Sequence, residues 1–147
     1  MLLLYHGVHS HYPIDNYNSS NALKKSARKK LIERLDTLVS IYIRRRDGEC
    51  VICGSKQRLT NGHVFSRDTY ITRWDLMEDG NCHCQCWPCN YRHEFDTYPF
   101  HTWYRNRFGD EKFAELYKRY RTIKKFKDFE LEELIGEVEL KLKCLTE

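Results

Sequence analysis

The sequence predicts an α+β fold: a small strand–strand–helix core stapled through four cysteines, with helices before and after it. Three observations predict this. Cys50-Val-Ile-Cys53 and Cys86-Trp-Pro-Cys89 bracket one short segment. Within that segment, Leu59 to Phe65 and Asn81 to Cys86 read as strands. On either side, apolar residues recur at helical spacing.

The cysteines come first. A Cys-x-x-Cys turn presents two thiolates at a separation that suits one tetrahedral zinc, and two such turns complete a four-sulfur site. Cys50, Cys53, Cys86 and Cys89 are therefore the expected ligands of a structural Zn²⁺. A redox dithiol or a pair of disulfides fits poorly, because neither pair sits in a βαβ pattern and nothing points to secretion.

Length and composition fit a small metal-stapled core. The chain has 147 residues, 41% of them hydrophobic and 31% charged. That allows one domain with helical extensions, whose core gains stability from the metal. The start, Met-Leu-Leu-Leu-Tyr-His, has neither the basic region nor the apolar length of a signal peptide. No segment is long enough to span a membrane. The odd count of seven cysteines fits a reducing, cytoplasmic setting.

Charge is distributed unevenly. Nine Lys and Arg residues between Lys24 and Arg46 face only Glu33 and Asp36, whereas seven acidic residues from Asp128 onward face two lysines. The basic front is expected to bind a polyanion, with Arg28, Lys29, Arg44, Arg45 and Arg46 contacting its charged groups.

Along the chain, residues 1–20 read as an irregular arm carrying His6, His9 and His11. A basic helix is expected over 21–47, with Asn21 as its N-cap and Leu31, Leu35, Leu38 and Tyr42 as its apolar stripe. Asp47-Gly48 ends it. The core spans 48–109. Ser66 to Gly80 reads as a polar loop, and a short helix after Cys86 runs through Tyr91, Arg92 and His93 and stops before Pro99. Strand, loop, strand and helix around a metal make the ββα-metal layout. An aromatic stretch follows from Tyr98 to Phe108. Helices fill 110–147: one starts at Gly109-Asp110, and the last runs from Asp128 to Leu142 with Leu131, Leu134, Ile135, Val138 and Leu142 on one face. In the second expected strand, Cys82, Cys84 and Cys86 alternate onto one face, where the first two are expected as buried apolar groups. His83 and Gln85 face the other way, on the same side as Asn81, where they meet phosphate or nothing.

These motifs resemble the HNH endonuclease superfamily, and within it the phage NinG (Rap) family of recombination endonucleases. The resemblance runs from about Leu35 to Leu116. It rests on Tyr42-Ile43-Arg44-Arg45-Arg46-Asp47 before Cys50, on Gly62-His63-Val64-Phe65-Ser66-Arg67, on Arg73-Trp74 and on Asn81-x-His83-x-Gln85-Cys86-x-x-Cys89-Asn90. Its most specific part is the central Asn five residues before the third cysteine, as Asn81 stands to Cys86.

The resemblance implies a division of labour. His63 is the general base, since a neutral imidazole is available near pH 7. Asn81 fixes the backbone that carries His63. Asn90 offers a hard oxygen to a catalytic Mg²⁺ or Mn²⁺, and Arg67 joins the DNA-contacting residues. Many superfamily members place an acidic or histidine metal ligand directly before the base. Here Gly62 stands there, so Asn61, His93, Asp68 or Asp75 would take that role.

The expected function is a metal-dependent DNA endonuclease, phage-encoded and acting on branched recombination or replication intermediates such as Holliday junctions or flaps. The C-terminal amphipathic helix offers a surface for a homodimer. Two alternatives stand beside it: a non-catalytic zinc module that binds DNA or protein, and an HNH nicking enzyme without branch preference. A structural zinc ribbon has no reason to keep both His63 and the Asn81 spacing.

Overall fold

The computed structural model describes residues 17–145. The element order is α1 (Tyr17–Asp47), β1 (Leu59–His63), α2 (Tyr70–Arg73), β2 (Cys82–Cys86), α3 (Trp87–His93), α4 (Tyr98–Phe108), α5 (Asp110–Tyr120) and α6 (Asp128–Cys144). It is an α+β arrangement of one two-stranded sheet and six helices. His6, His9 and His11 of the expected arm lie outside the described residues.

The helix α1 follows from its apolar spacing. Leu35, Val39, Tyr42 and Ile43 are buried, and Leu31, Ile32 and Leu38 pack partly beside them. Polar and basic residues take the remaining face. The helix already runs at Tyr17, so Asn21 lies inside it and is not its N-cap. At the other end Gly48 takes φ +73°, and its N–H returns to the Arg44 carbonyl at 3.1 Å. That left-handed turn suits glycine and delivers the chain to Cys50.

β1 and β2 pair antiparallel, with Leu59 opposite Cys86, Asn61 opposite Cys84 and His63 opposite Cys82. One face puts Cys82 and Cys84 into a core with α1, Trp74 and the α6 residues Leu131, Ile135 and Val138. Beyond the strands, a second core joins Val64, Phe65, Phe100, Tyr104 and Leu116, from the end of β1, α4 and α5. β2 is thus buried on both faces. His83 and Gln85, left by the sequence to meet phosphate or nothing, are enclosed together with Asn81. His83 is ringed by Phe100, Trp103, Tyr104 and Phe108, and its Nε2 donates to the Gly80 carbonyl at 2.9 Å. Burial pushes its pKa down to about 4, so it sits there neutral.

Two further expectations change. The stretch from Tyr98 to Phe108 is a helix, with Pro99 in its first turn and Phe100 and Tyr104 buried. The loop between the strands is not merely polar: it contains α2 and buries Thr72, Trp74 and Asp75. Asp75 bonds Arg119 at 2.8 Å and accepts the Asn81 N–H at 3.1 Å. It is a structural carboxylate and no candidate metal ligand. The apolar face of α6 packs on α1, which removes the surface on which the dimer expectation rested.

Candidate functional site

Two features stand side by side: a cysteine cluster at one end of the sheet and an open cavity along β1. The cluster is built by backbone geometry. The Cys50 turn closes through Gly54 N–H to the Cys50 carbonyl (2.8 Å), and Val51 N–H ties it to Cys84 of β2 (2.9 Å). Cys86 ends β2 and Cys89 lies in the first turn of α3, with Pro88 between them. The four sulfurs lie within 4.8 Å of one another, and those of Cys53 and Cys86 are 3.6 Å apart. A tetrahedron with metal–sulfur bonds of about 2.3 Å separates its sulfurs by about 3.8 Å, so the four thiols fit zinc. Within the cluster, burial opposes ionisation of Cys50, but backbone N–H groups at Cys86, Cys53 and Ile52 outweigh it and bring that thiol down to about 7, whereas burial raises Cys86 and Cys89. Among the described residues this is the one group of three or more His, Cys, Asp or Glu side chains close enough to hold a metal. Burial pushes the Cys82 and Cys84 thiols up to about 12, which keeps them neutral core groups.

The cavity has a volume of about 730 Å³. Its walls bring together Asn61, His63, Asn90 and His93 from β1 and α3, with Arg67, Asp68 and His101. His63 Nε2 lies 2.9 Å from the Arg73 carbonyl. A carbonyl takes only a donor, so Nε2 carries the proton and Nδ1 keeps its lone pair. Burial pushes His63 down to about 4, which leaves it neutral at pH 7. Arg73 is itself fixed by two bonds to Asp36, at 2.9 and 2.6 Å.

Asn81 acts on the backbone just beyond His63. Its Oδ1 accepts the Phe65 N–H at 2.8 Å, and its Nδ2 donates to the carbonyls of Phe65 (2.9 Å) and Thr72 (3.2 Å). One buried amide thereby joins the end of β1 to the loop that supplies Arg73. On α3, Asn90 Nδ2 donates to Thr60 Oγ1 at 3.1 Å. Asn61 Oδ1 and His93 Nδ1 are buried acceptors without a hydrogen-bond partner. A Cβ at Gly62 would lie 2.2 Å from Gln85 Oε1, so any side chain there would require Gln85 to move. The side chain of Gln85 fills the space a residue-62 side chain would need.

The family model described as Bacteriophage Lambda NinG protein matches residues 16–147. The chain belongs to the phage NinG family. No curated protein and no solved structure matches it significantly. Within this NinG chain, no described helix is long and apolar enough to cross a membrane.

The basic residues of the NinG chain divide into two kinds. Lys29, Arg44, Arg45 and Arg67 are exposed. Arg46 is not available as expected: it pairs with Asp47 at 2.7 Å and donates to the Cys82 carbonyl at 2.9 Å. Asp47 in turn accepts the Cys84 N–H at 2.7 Å, so this pair locks α1 to β2. Arg28 is also engaged, donating to Asp128 and to the Phe126 carbonyl. His101 was missed by sequence reasoning. Its Nε2 meets the same Val64 carbonyl as His93, at 2.9 and 3.2 Å. Burial lowers both imidazoles, so both stand neutral by the cavity. No motif marks His101; only the packing of α4 against α3 brings it there.

Proposed function

We propose that this NinG-family chain is a metal-dependent endonuclease of the HNH kind, hydrolysing phosphodiester bonds in branched DNA intermediates of phage recombination. The observation that carries the reading is His63: a neutral imidazole, oriented through one nitrogen by the Arg73 carbonyl, in the cavity that Asn61 and Asn90 also line. In the reaction, water attacks phosphorus as its proton passes to His63 Nδ1. The new P–O bond forms while the bond to the leaving oxygen breaks. Asn81 holds His63 in register, and Arg67 at the cavity wall neutralises phosphate charge.

The donor set fits a divalent cation. Asn90 spends its amide nitrogen on Thr60 and keeps its oxygen, the Asn61 oxygen has no other partner, and Asp68 contributes a carboxylate to the same wall. Held by these oxygens and His93, Mg²⁺ or Mn²⁺ would stabilise charge on the phosphorane and leaving oxygen. One observation favours the rival, a non-catalytic DNA-binding module: position 62 is glycine and offers no ligand, and the Gln85 side chain occupies the space beside it.

Cleavage of a four-way junction, a flap and a linear duplex, each with Mg²⁺, Mn²⁺ or EDTA, decides between them. The branched substrates should be cut in a metal-dependent way. His63→Ala should keep zinc and DNA binding and lose cleavage by roughly 10²-fold to 10⁴-fold. Asn90→Ala should be partly restored by excess metal. A folded His63→Ala variant that cuts at the parental rate would return the chain to the binding-module reading.

A further inference from the structure

We propose that Trp87, Tyr91 and Phe95 form a stacking platform for the unpaired bases of single-stranded DNA. This rests on the nuclease reading and names the part of the substrate that lies beside the cavity. The three residues are spaced by four, so α3 and the turn after it carry them on one side. They are 47%, 51% and 75% exposed. The Trp87 and Tyr91 rings stack at 5.2 Å and 5°, and Phe95 meets Tyr91 at 5.3 Å and 69°. Such a row of large rings in water, next to a site, marks a binding surface more than a core.

Arg58 indicates which partner fits. Its guanidinium lies 4.8 Å over the Trp87 ring. Its backbone takes φ +51°, a left-handed conformation that non-glycine residues adopt at a cost, and its carbonyl accepts the Trp87 N–H at 2.8 Å. The cation and the first ring are therefore held together by the backbone. Tyr91 and Arg58 cover the faces of Trp87, so the aromatic surface open to unstacked bases lies on Tyr91 and Phe95, with the Arg58 cation close by for their phosphates, whatever the sequence. A duplex keeps its base faces stacked inside and cannot use them. The same helix turns Asn90 and His93 to the cavity, so bases on the platform would lie next to the proposed scissile phosphate.

The test uses the full zinc-loaded chain without added divalent metal, and follows anisotropy of labelled oligo(dT) and of a linear duplex of equal length. Tyr91→Ala should weaken oligo(dT) binding at least tenfold and leave duplex affinity within about twofold. Oligo(dT) should quench tryptophan emission, and Trp87→Phe should remove that quenching while keeping most of the affinity. Unchanged oligo(dT) binding in Tyr91→Ala, equal losses on both DNAs, or a dimer that Trp87→Ala dissolves would each overturn the platform. If a variant loses zinc, the parental chain still decides: no quenching at saturating oligo(dT) also overturns it. Failure of the platform alone leaves duplex binding and metal-dependent cleavage intact, whereas failure of the nuclease reading removes cleavage whatever the platform does.

Discussion

Asn81 is a buried side chain whose hydrogen bonds all run to backbone. Its removal leaves the Phe65 N–H without an acceptor inside the protein, which costs about 1–3 kcal/mol. Asn81→Ala should lower the urea-unfolding free energy by that amount and retain zinc; an unchanged midpoint would mean the clamp is dispensable. Arg45 and Arg46 make a paired contrast, neighbours in sequence with opposite surroundings. Arg45 is exposed, whereas Arg46 is tied to Asp47 and to the Cys82 carbonyl. Arg45→Gln should weaken DNA binding and flatten its salt dependence, with little effect on stability. Arg46→Gln should do the reverse, because it leaves the half-buried Asp47 carboxylate without its partner. Melting curves and salt titrations of the two variants together check this.

At the scale of elements, the contact between α1 and α6 makes the largest difference between a basic helix with an acidic tail and a packed body. Leu131 is fully buried between them. Leu131→Ala should cost about 2–5 kcal/mol, read by denaturant unfolding, and should not change the oligomeric state read by sedimentation. The exposed ion pairs between the same helices, Arg28 with Asp128 and Arg34 with Glu139, add far less, since water screens them. They explain instead where part of the basic charge of α1 goes: two of its arginines are matched by the acidic helix.

At the scale of the molecule, the cysteine cluster and the buried neutral histidines set the conditions under which the chain folds. A small two-stranded sheet has little stability of its own, and metal binding is folding energy in such a core. Cys86→Ser should release zinc and unfold the core, with zinc retained at full stoichiometry as the result that refutes it. His63 and His83 are both held at about 4 in the fold, against an ordinary value of 6.5. The unfolded chain therefore binds protons that the folded chain refuses, and stability should fall as pH drops from about 6.5 towards 4. The two extra protons at His63 and His83 alone give a slope of roughly 2.7 kcal/mol per pH unit, and His93 and His101, which burial also lowers, add to it with the same sign. His83→Asn should reduce the slope by roughly 1.4 kcal/mol per pH unit, and a parental stability independent of pH across that window would contradict the burial of these rings.

The local code of the chain already determined the helices with an open polar face, the Cys-x-x-Cys turns, the pairing strands and the clamp. Leu31 to Ile43 and Leu131 to Leu142 repeat at helical spacing, the two Cys-x-x-Cys turns need only their own residues, and the place of Asn81 before Cys86 fixes its register on β2. These signals lie within a few residues of one another. What the tertiary structure alone decided depends on partners far along the chain. Helix α4 is hidden in the sequence because aromatic and basic residues alternate there, and its stripe emerges only once Phe100 and Tyr104 have a core to enter. His83 and Gln85 alternate like exposed residues, yet aromatic side chains from α4 cover that face of β2. Arg28 meets Asp128 across a separation of 100 residues, and Arg46 meets Cys82 across 36. His101 reaches the cavity because α4 folds back beside α3. A sequence states which face of an element is apolar or charged; what covers that face is set by contacts between segments that do not know of each other until the chain has folded.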